Sequence, residues 1–149
     1  MDKKKDGFLV IIMKNIRAII VSMPGTLQRM LQKSIEANPS VEVTGIVHGG
    51  LSALQLVEQS DPDLLLIDYS IPIDEAVAIV RNVKQKNPEI VSIVITDTSH
   101  QRRKVTEAGA DYALSSFNFE PQLQDILNKF ETGRFSGQKP PDQPSKNLT

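Results

Sequence analysis

Asp68 is the residue of this chain most readily put to chemical use. It follows four consecutive apolar residues, Leu64–Ile67, and Pro72 stands four positions later. An apolar run this short, with turn residues on both sides, suits a strand buried on both faces. The carboxyl end of such a strand is where open α/β sheets place their functional groups. Hydroxyls stand at comparable points: Ser22 after Ile16–Val21, Thr96 after residues 90–95, and Ser116 shortly after residues 110–114. Brought together, the four side chains would line a small polar pocket; taken singly, each hydroxyl is simply satisfied at its strand end. Gly49 and Gly50 precede a helical pattern and could cradle an anion, although with no Lys or Arg beside them an ordinary turn is the plainer reading. Other chemistries are excluded by composition. The absence of cysteine removes disulfides, thiolate metal sites and thiol nucleophiles. His48 and His100 lack the spacing of a zinc ligand set.

The elements that must position these residues follow from periodicity and breakers. Ile16–Val21 is β-branched and apolar, Pro24 and Gly25 break it, and Leu27, Met30, Leu31 and Ile35 then recur at helical spacing until Asn38 and Pro39. Val41–Val47 predicts a second strand and residues 51–58 a second helix carrying Leu54 and Val57 inward. After Pro72, Val77, Ile79, Val80 and Val83 mark a third helix, closed by Asn87 and Pro88. Asp74 and Glu75 in its first turn suit the helix dipole. Residues 90–95 predict a fourth strand, residues 101–108 a helix stopped by Gly109, and residues 110–114 a weak fifth strand. Pro121 opens a last helix, with Leu123, Ile126, Leu127 and Phe130 on one side. Five strands alternating with five helices predict an α/β, flavodoxin-like (βα)5 three-layer sandwich around a parallel five-stranded sheet of order 2-1-3-4-5.

The 149 residues suffice for one domain, expected over residues 15–132, with an N-terminal extension at 1–14 and a flexible tail at 133–149 rich in Gly, Pro, Ser and Asn. The apolar run at residues 8–13 follows Lys3, Lys4 and Lys5 but is too short to span a bilayer and has no cleavage site behind it. It reads as an added strand or as sequence preceding a natural start at Met13. Seventeen basic and eighteen acidic residues give a net charge of -1, so no bulk electrostatic argument points to nucleic acid or membrane. The expected location is cytoplasmic.

The segment DLLLIDYSIP resembles the phospho-acceptor segment of response-regulator receiver domains of the CheY-like superfamily. SIEANPSVEVTGIVHGGLSALQLVEQSDPDLLLID and VTEAGADYALSS resemble the receivers of NarL/LuxR-type regulators, and the likeness extends over residues 16–130. The resemblance makes Asp68 the phospho-acceptor position and Thr96 the switch hydroxyl. It also implies an acidic pair after the first strand to hold Mg²⁺ and a lysine after the fifth. Here the pair positions read Ser22 and Met23, and no Asp or Glu occurs between Asp6 and Glu36. Ser116, with Ser115 second, stands where the lysine is implied, and no Lys or Arg occurs from Val105 through Asn128. Asp97 replaces a small residue; it would repel a phosphoryl group, and as a lone loop acid it makes a weak metal pair with Asp68. Tyr112 lies beside the implied aromatic switch position, which register gives to Ala113; a one-residue difference turns the ring to the other face.

The reading that follows is a stand-alone pseudo-receiver, not an enzyme, that works by protein–protein contact without Mg²⁺-dependent phosphorylation, with no cofactor and Mg²⁺ binding lost. Asp68 is then a vestigial acid. One alternative keeps Asp68 as the phospho-acceptor of a two-component phosphorelay. A second is a small-ligand-binding flavodoxin-like domain, against which stand the loop sequence SMPGTLQ and the lack of tryptophan. Arg102, Arg103 and Lys104, with Tyr112, are the candidate contact residues, on a helix that the resemblance assigns to the partner-binding face. A charge run on a helix is more often simply a solvated face. The implied partner is a protein, a histidine kinase or a separate output protein. No direct nucleic-acid or membrane contact is implied, and homodimerisation through the last two helices is a family habit.

Overall fold

The computed structural model describes residues 16–136. The elements run β1 Ile16–Val21, α1 Thr26–Glu36, β2 Val41–Val47, α2 Gly50–Ser60, β3 Leu64–Ile67, α3 Ile73–Lys86, β4 Val91–Thr96, α4 Ser99–Ala108, β5 Tyr112–Ser115 and α5 Phe119–Ser136. All strand pairings are parallel and the sheet order is β2-β1-β3-β4-β5, the flavodoxin-like arrangement predicted.

Strand alternation divides the core in two. In β3, Leu64 and Leu66 face a cluster with Leu31 and Ile35 of α1 and Leu123 and Leu127 of α5. Leu65 and Ile67 face the opposite cluster, with Val57 of α2, Ile79, Val80 and Val83 of α3, and Val105 of α4. Successive side chains point to opposite faces, so an unbroken apolar tetrapeptide is what a strand covered by helices on both sides requires. All four residues are buried. Their registers, Leu66 beside Ile20 and Ile93, and Ile67 beside Val21 and Val94, bring the residues following β1, β3 and β4 to one edge of the sheet.

The outer strand β2 is only partly covered. Its pairing with β1 shifts between Ala18 and Ile19, and the Thr44 hydroxyl donates to the Ala18 carbonyl at 3.2 Å across the irregularity. Gly45 lets Leu56 pack closely: a Cβ there would meet Leu56 Cδ2 and displace that side chain.

Several boundaries differ from the sequence expectation. β4 begins at Val91 rather than Ile90, and its last residue, Thr96, pairs with Ser115. Residues 110–111 precede β5, which extends to Ser115. α4 begins two residues early because the Thr98 hydroxyl caps it, accepting from the Gln101 N–H at 3.1 Å. α5 begins at Phe119 and tolerates Pro121 within its first turn, where N–H groups have no intrahelical acceptor to lose. The helix continues to Ser136, past the predicted boundary at 132. The N-terminal extension and residues 137–149 lie outside the described residues. Among the described residues, no helix is long and apolar enough to cross a membrane.

Candidate functional site

Asp68 leaves β3 at the carboxyl edge with 1% exposure, its N–H donating to the Val21 carbonyl at 3.2 Å. The chain then turns sharply. Ser70 donates both its N–H, at 2.8 Å, and its hydroxyl, at 2.5 Å, to Asp68 Oδ1. The first is the turn that an Asp makes with the backbone two residues on. Ser70 Oγ in turn accepts from the Met23 N–H at 2.9 Å. Asp68 Oδ2 is buried and has no hydrogen-bond partner among the described residues.

Beside it lies a cleft of about 20 Å³, room for about one water. Asp68, Thr96 and Gln101 supply its polar side chains alongside Tyr69, and Ile73 and Ala76 its apolar wall. Among the described residues no Lys, Arg or second acid lines it. A flavin or nucleotide has no space there. Thr96 is 1% exposed, and its hydroxyl is directed at the Leu114 carbonyl at 3.3 Å and the Thr98 carbonyl at 3.4 Å, so it is satisfied by backbone.

The other predicted side chains scatter. Ser22 is fully buried, with its hydroxyl on the Met23 carbonyl at 3.3 Å and its own carbonyl held by His48 Nδ1 at 2.9 Å. Met23 is 45% exposed and apolar. Ser116 donates its N–H to the Thr96 carbonyl at 2.9 Å but does not line the cleft. Asp97 is exposed and outside the cleft, its N–H taken by Gln101 Oε1 at 3.0 Å. Among the described residues no three His, Cys, Asp or Glu side chains are grouped to hold a metal ion. The turn at Gly49 and Gly50 does cradle an anion, but it is the chain's own: the Gly50 N–H donates to Glu75 Oε2 at 2.6 Å. Glu75 therefore serves two helices, standing in the first turn of α3 and bound at the start of α2.

The basic run divides. Arg103 is exposed, Lys104 meets Asp74 at 3.5 Å, and Arg102 is partly buried, its Nη1 without a hydrogen-bond partner among the described residues. Tyr112 requires a correction as a contact residue: it is 5% exposed and packs in the cluster with α1 and α5. Ala113 faces the opposite cluster, so alternation places the ring away from the α2–α4 side.

Two features escaped the sequence reading. Ser70 was legible in part, because a strand-final Asp followed two residues later by Ser is a turn signature. Asp111, 2% exposed, pairs with Lys84 at 3.3 Å and accepts the Ser92 N–H at 2.9 Å; these partners lie 27 and 19 residues away, with no local signal.

The chain is similar to known proteins over most of its length. The family model described as the response regulator receiver domain matches residues 19–128. A protein-glutamate methylesterase/protein-glutamine glutaminase of Treponema denticola is 23% identical over 116 residues, covering 78% of this chain and 31% of the relative. The chain thus spans about a third of the length of the curated relatives it matches. The signal receiver domain of the response regulator NarL from Mycobacterium tuberculosis superposes with a TM-score of 0.70 at 18% identity, covering 80% of this chain and 98% of that one. A LuxR-family two-component response regulator from Aurantimonas sp. SI85-9A1 gives 0.72 at 18% identity, with 89% and 94% covered. Those structural identities support the fold alone, but the family model spans most of the sheet and all the loops that surround Asp68. The chain belongs to the response regulator receiver domain family.

Proposed function

We infer that this receiver domain, a module of signal transduction, works by phosphorylation-independent contact with a protein partner. The observation that carries the reading is the electrostatic isolation of Asp68: a carboxylate 1% exposed, with no cation and no second acid lining its cleft among the described residues. Phosphoryl transfer to a carboxylate brings two anions together, and a divalent cation is what ordinarily screens them. The residues present do not fit Mg²⁺, since the loop after β1 supplies Ser22 and Met23, and neither is a carboxylate. Both carboxylate oxygens are also withheld, Oδ1 by two donors from Ser70 and Oδ2 by burial.

The surface of α4, β5 and α5 is the contact face in this reading. It presents exposed Arg103 and, between β5 and α5, Phe117 at 90% exposure. A histidine kinase or a separate output protein is the class of partner. Asp68→Ala leaves the partner's affinity unchanged, whereas Arg103→Glu weakens it; equal losses in both variants would count against this face.

A second reading, Asp68 as a working phospho-acceptor, is favoured by Thr96 sharing its cleft. Incubation with acetyl phosphate and Mg²⁺, read by intact mass, separates the two. The contact reading expects no phosphorylated species; a phosphorylated species abolished by Asp68→Asn would establish the second.

A further inference from the structure

The loops at the carboxyl edge of the sheet are joined to one another by hydrogen bonds. His48 Nδ1 holds the Ser22 carbonyl at 2.9 Å, linking the loop after β2 to the one after β1. The Gly50 N–H donates to Glu75 at 2.6 Å, linking α2 to α3. The Ser116 N–H donates to the Thr96 carbonyl at 2.9 Å, linking β5 to β4. The central link, between the loops after β1 and β3, differs because it runs through two side chains. The Ser70 hydroxyl has one proton and can also accept; it gives the proton to Asp68 Oδ1 and accepts from the Met23 N–H. The Ser70 N–H adds a second bond to the same oxygen.

Met23 is 45% exposed, so burial of its own side chain does not fix its amide. Its N–H is nevertheless directed into a chain of hydrogen bonds that ends on a carboxylate with 1% exposure. A bond to a charged acceptor is stronger than one between neutral groups, and a chain of such bonds is mutually polarising. We propose that Ser70 and Asp68 form a fixed tether between the loops after β1 and β3, in which Asp68 is the buried anchor and Ser70 the positioning residue that carries its charge to the Met23 amide. The tether is built entirely from side-chain and backbone atoms of this chain. It deepens the contact reading, on which its functional meaning rests: the edge that carries Asp68 is held in one state, and the anchor oxygen is engaged.

The test is amide hydrogen exchange on the ¹⁵N-labelled full chain, comparing the wild type with Ser70→Ala and Ser70→Thr. In the wild type the Met23 amide is protected. In Ser70→Ala it exchanges roughly three- to tenfold faster, the range expected for loss of one hydrogen bond, and Ser70→Thr, which keeps the hydroxyl, restores most of the protection. Unchanged Met23 exchange in Ser70→Ala overturns the tether, as does a Ser70→Thr variant that exchanges as fast as Ser70→Ala. If Ser70→Ala fails to fold, the wild type decides alone, because a Met23 amide exchanging at the rate of an unprotected loop also overturns it. The two levels fail separately: Met23 exchange judges the tether, and phosphorylation of Asp68 judges the reading beneath it.

Discussion

Asp68 and Asp111 are equally buried, at 1% and 2% exposure, but at opposite ends of the sheet their surroundings differ completely. Asp111, just before β5, has Lys84 against Oδ1 and the Ser92 N–H against Oδ2. It ties α3 to the start of β4 and β5, and each of its oxygens has a donor. Asp68, just after β3, takes two donors from one residue on one oxygen, while the other has none among the described residues. Burying a carboxylate is costly unless it is paired. Asp111 meets that requirement and Asp68 does not. The first acid therefore supports the fold, whereas the second is held in place by its loop.

The contrast predicts substitutions of opposite sign. Asp111→Ala has the largest expected effect, a loss of about 2–3 kcal/mol in urea-induced unfolding. Most of it comes from the stranded Ser92 N–H, because the Lys84 side chain is 35% exposed and its ammonium rehydrates. A change below about 0.5 kcal/mol would show that Asp111 is not structural. Ser70→Ala follows, with a loss of about 1 kcal/mol in the same assay; no loss would detach Asp68 from its loop. Asp68→Asn keeps the oxygen that Ser70 holds and removes a buried charge, so stability stays level or rises by up to about 1 kcal/mol. A clear loss of stability in Asp68→Asn would erase the distinction between the two acids. The smallest effect belongs to the exposed Lys104–Asp74 pair: Lys104→Ala changes thermal stability by less than about 0.5 kcal/mol, and a larger change would mean the pair is part of the packing of α4 on α3.

The same contrast marks where the sequence was legible. β1, β2 and β3 were readable to the residue, because each is an apolar or β-branched run bounded by Pro, Gly, Asn or Asp. Alternating strands and helices with short right-handed connections left few sheet orders, of which the flavodoxin-like one was expected and is the one observed. Ends governed by side-chain hydrogen bonds were less legible. Thr98 and Gln101, a hydroxyl with Gln three residues on, carry the signal for the true start of α4. The strand-end residues were individually identifiable, yet their companionship was not. Asp68 and Thr96 share a cleft because β3 and β4 are neighbours in register, whereas Ser22 and Ser116 turn to backbone partners within or beside their own loops. The Asp111–Lys84 pair and the Glu75–Gly50 contact join residues 27 and 25 positions apart, and only the packed fold brings them together. Tyr112 shows the limit most plainly, since one residue of register decides whether its ring is a contact surface or core.

The central claim is that Asp68 no longer acts as a phosphoryl switch. It is tested most directly by titrating Mg²⁺, with and without beryllofluoride as an acyl-phosphate mimic, while following the amide resonances of Asp68, Thr96 and Met23. The account predicts no saturable shift at any of the three. A saturable, beryllofluoride-dependent shift at Asp68 and Thr96 would show a working acceptor site and contradict it.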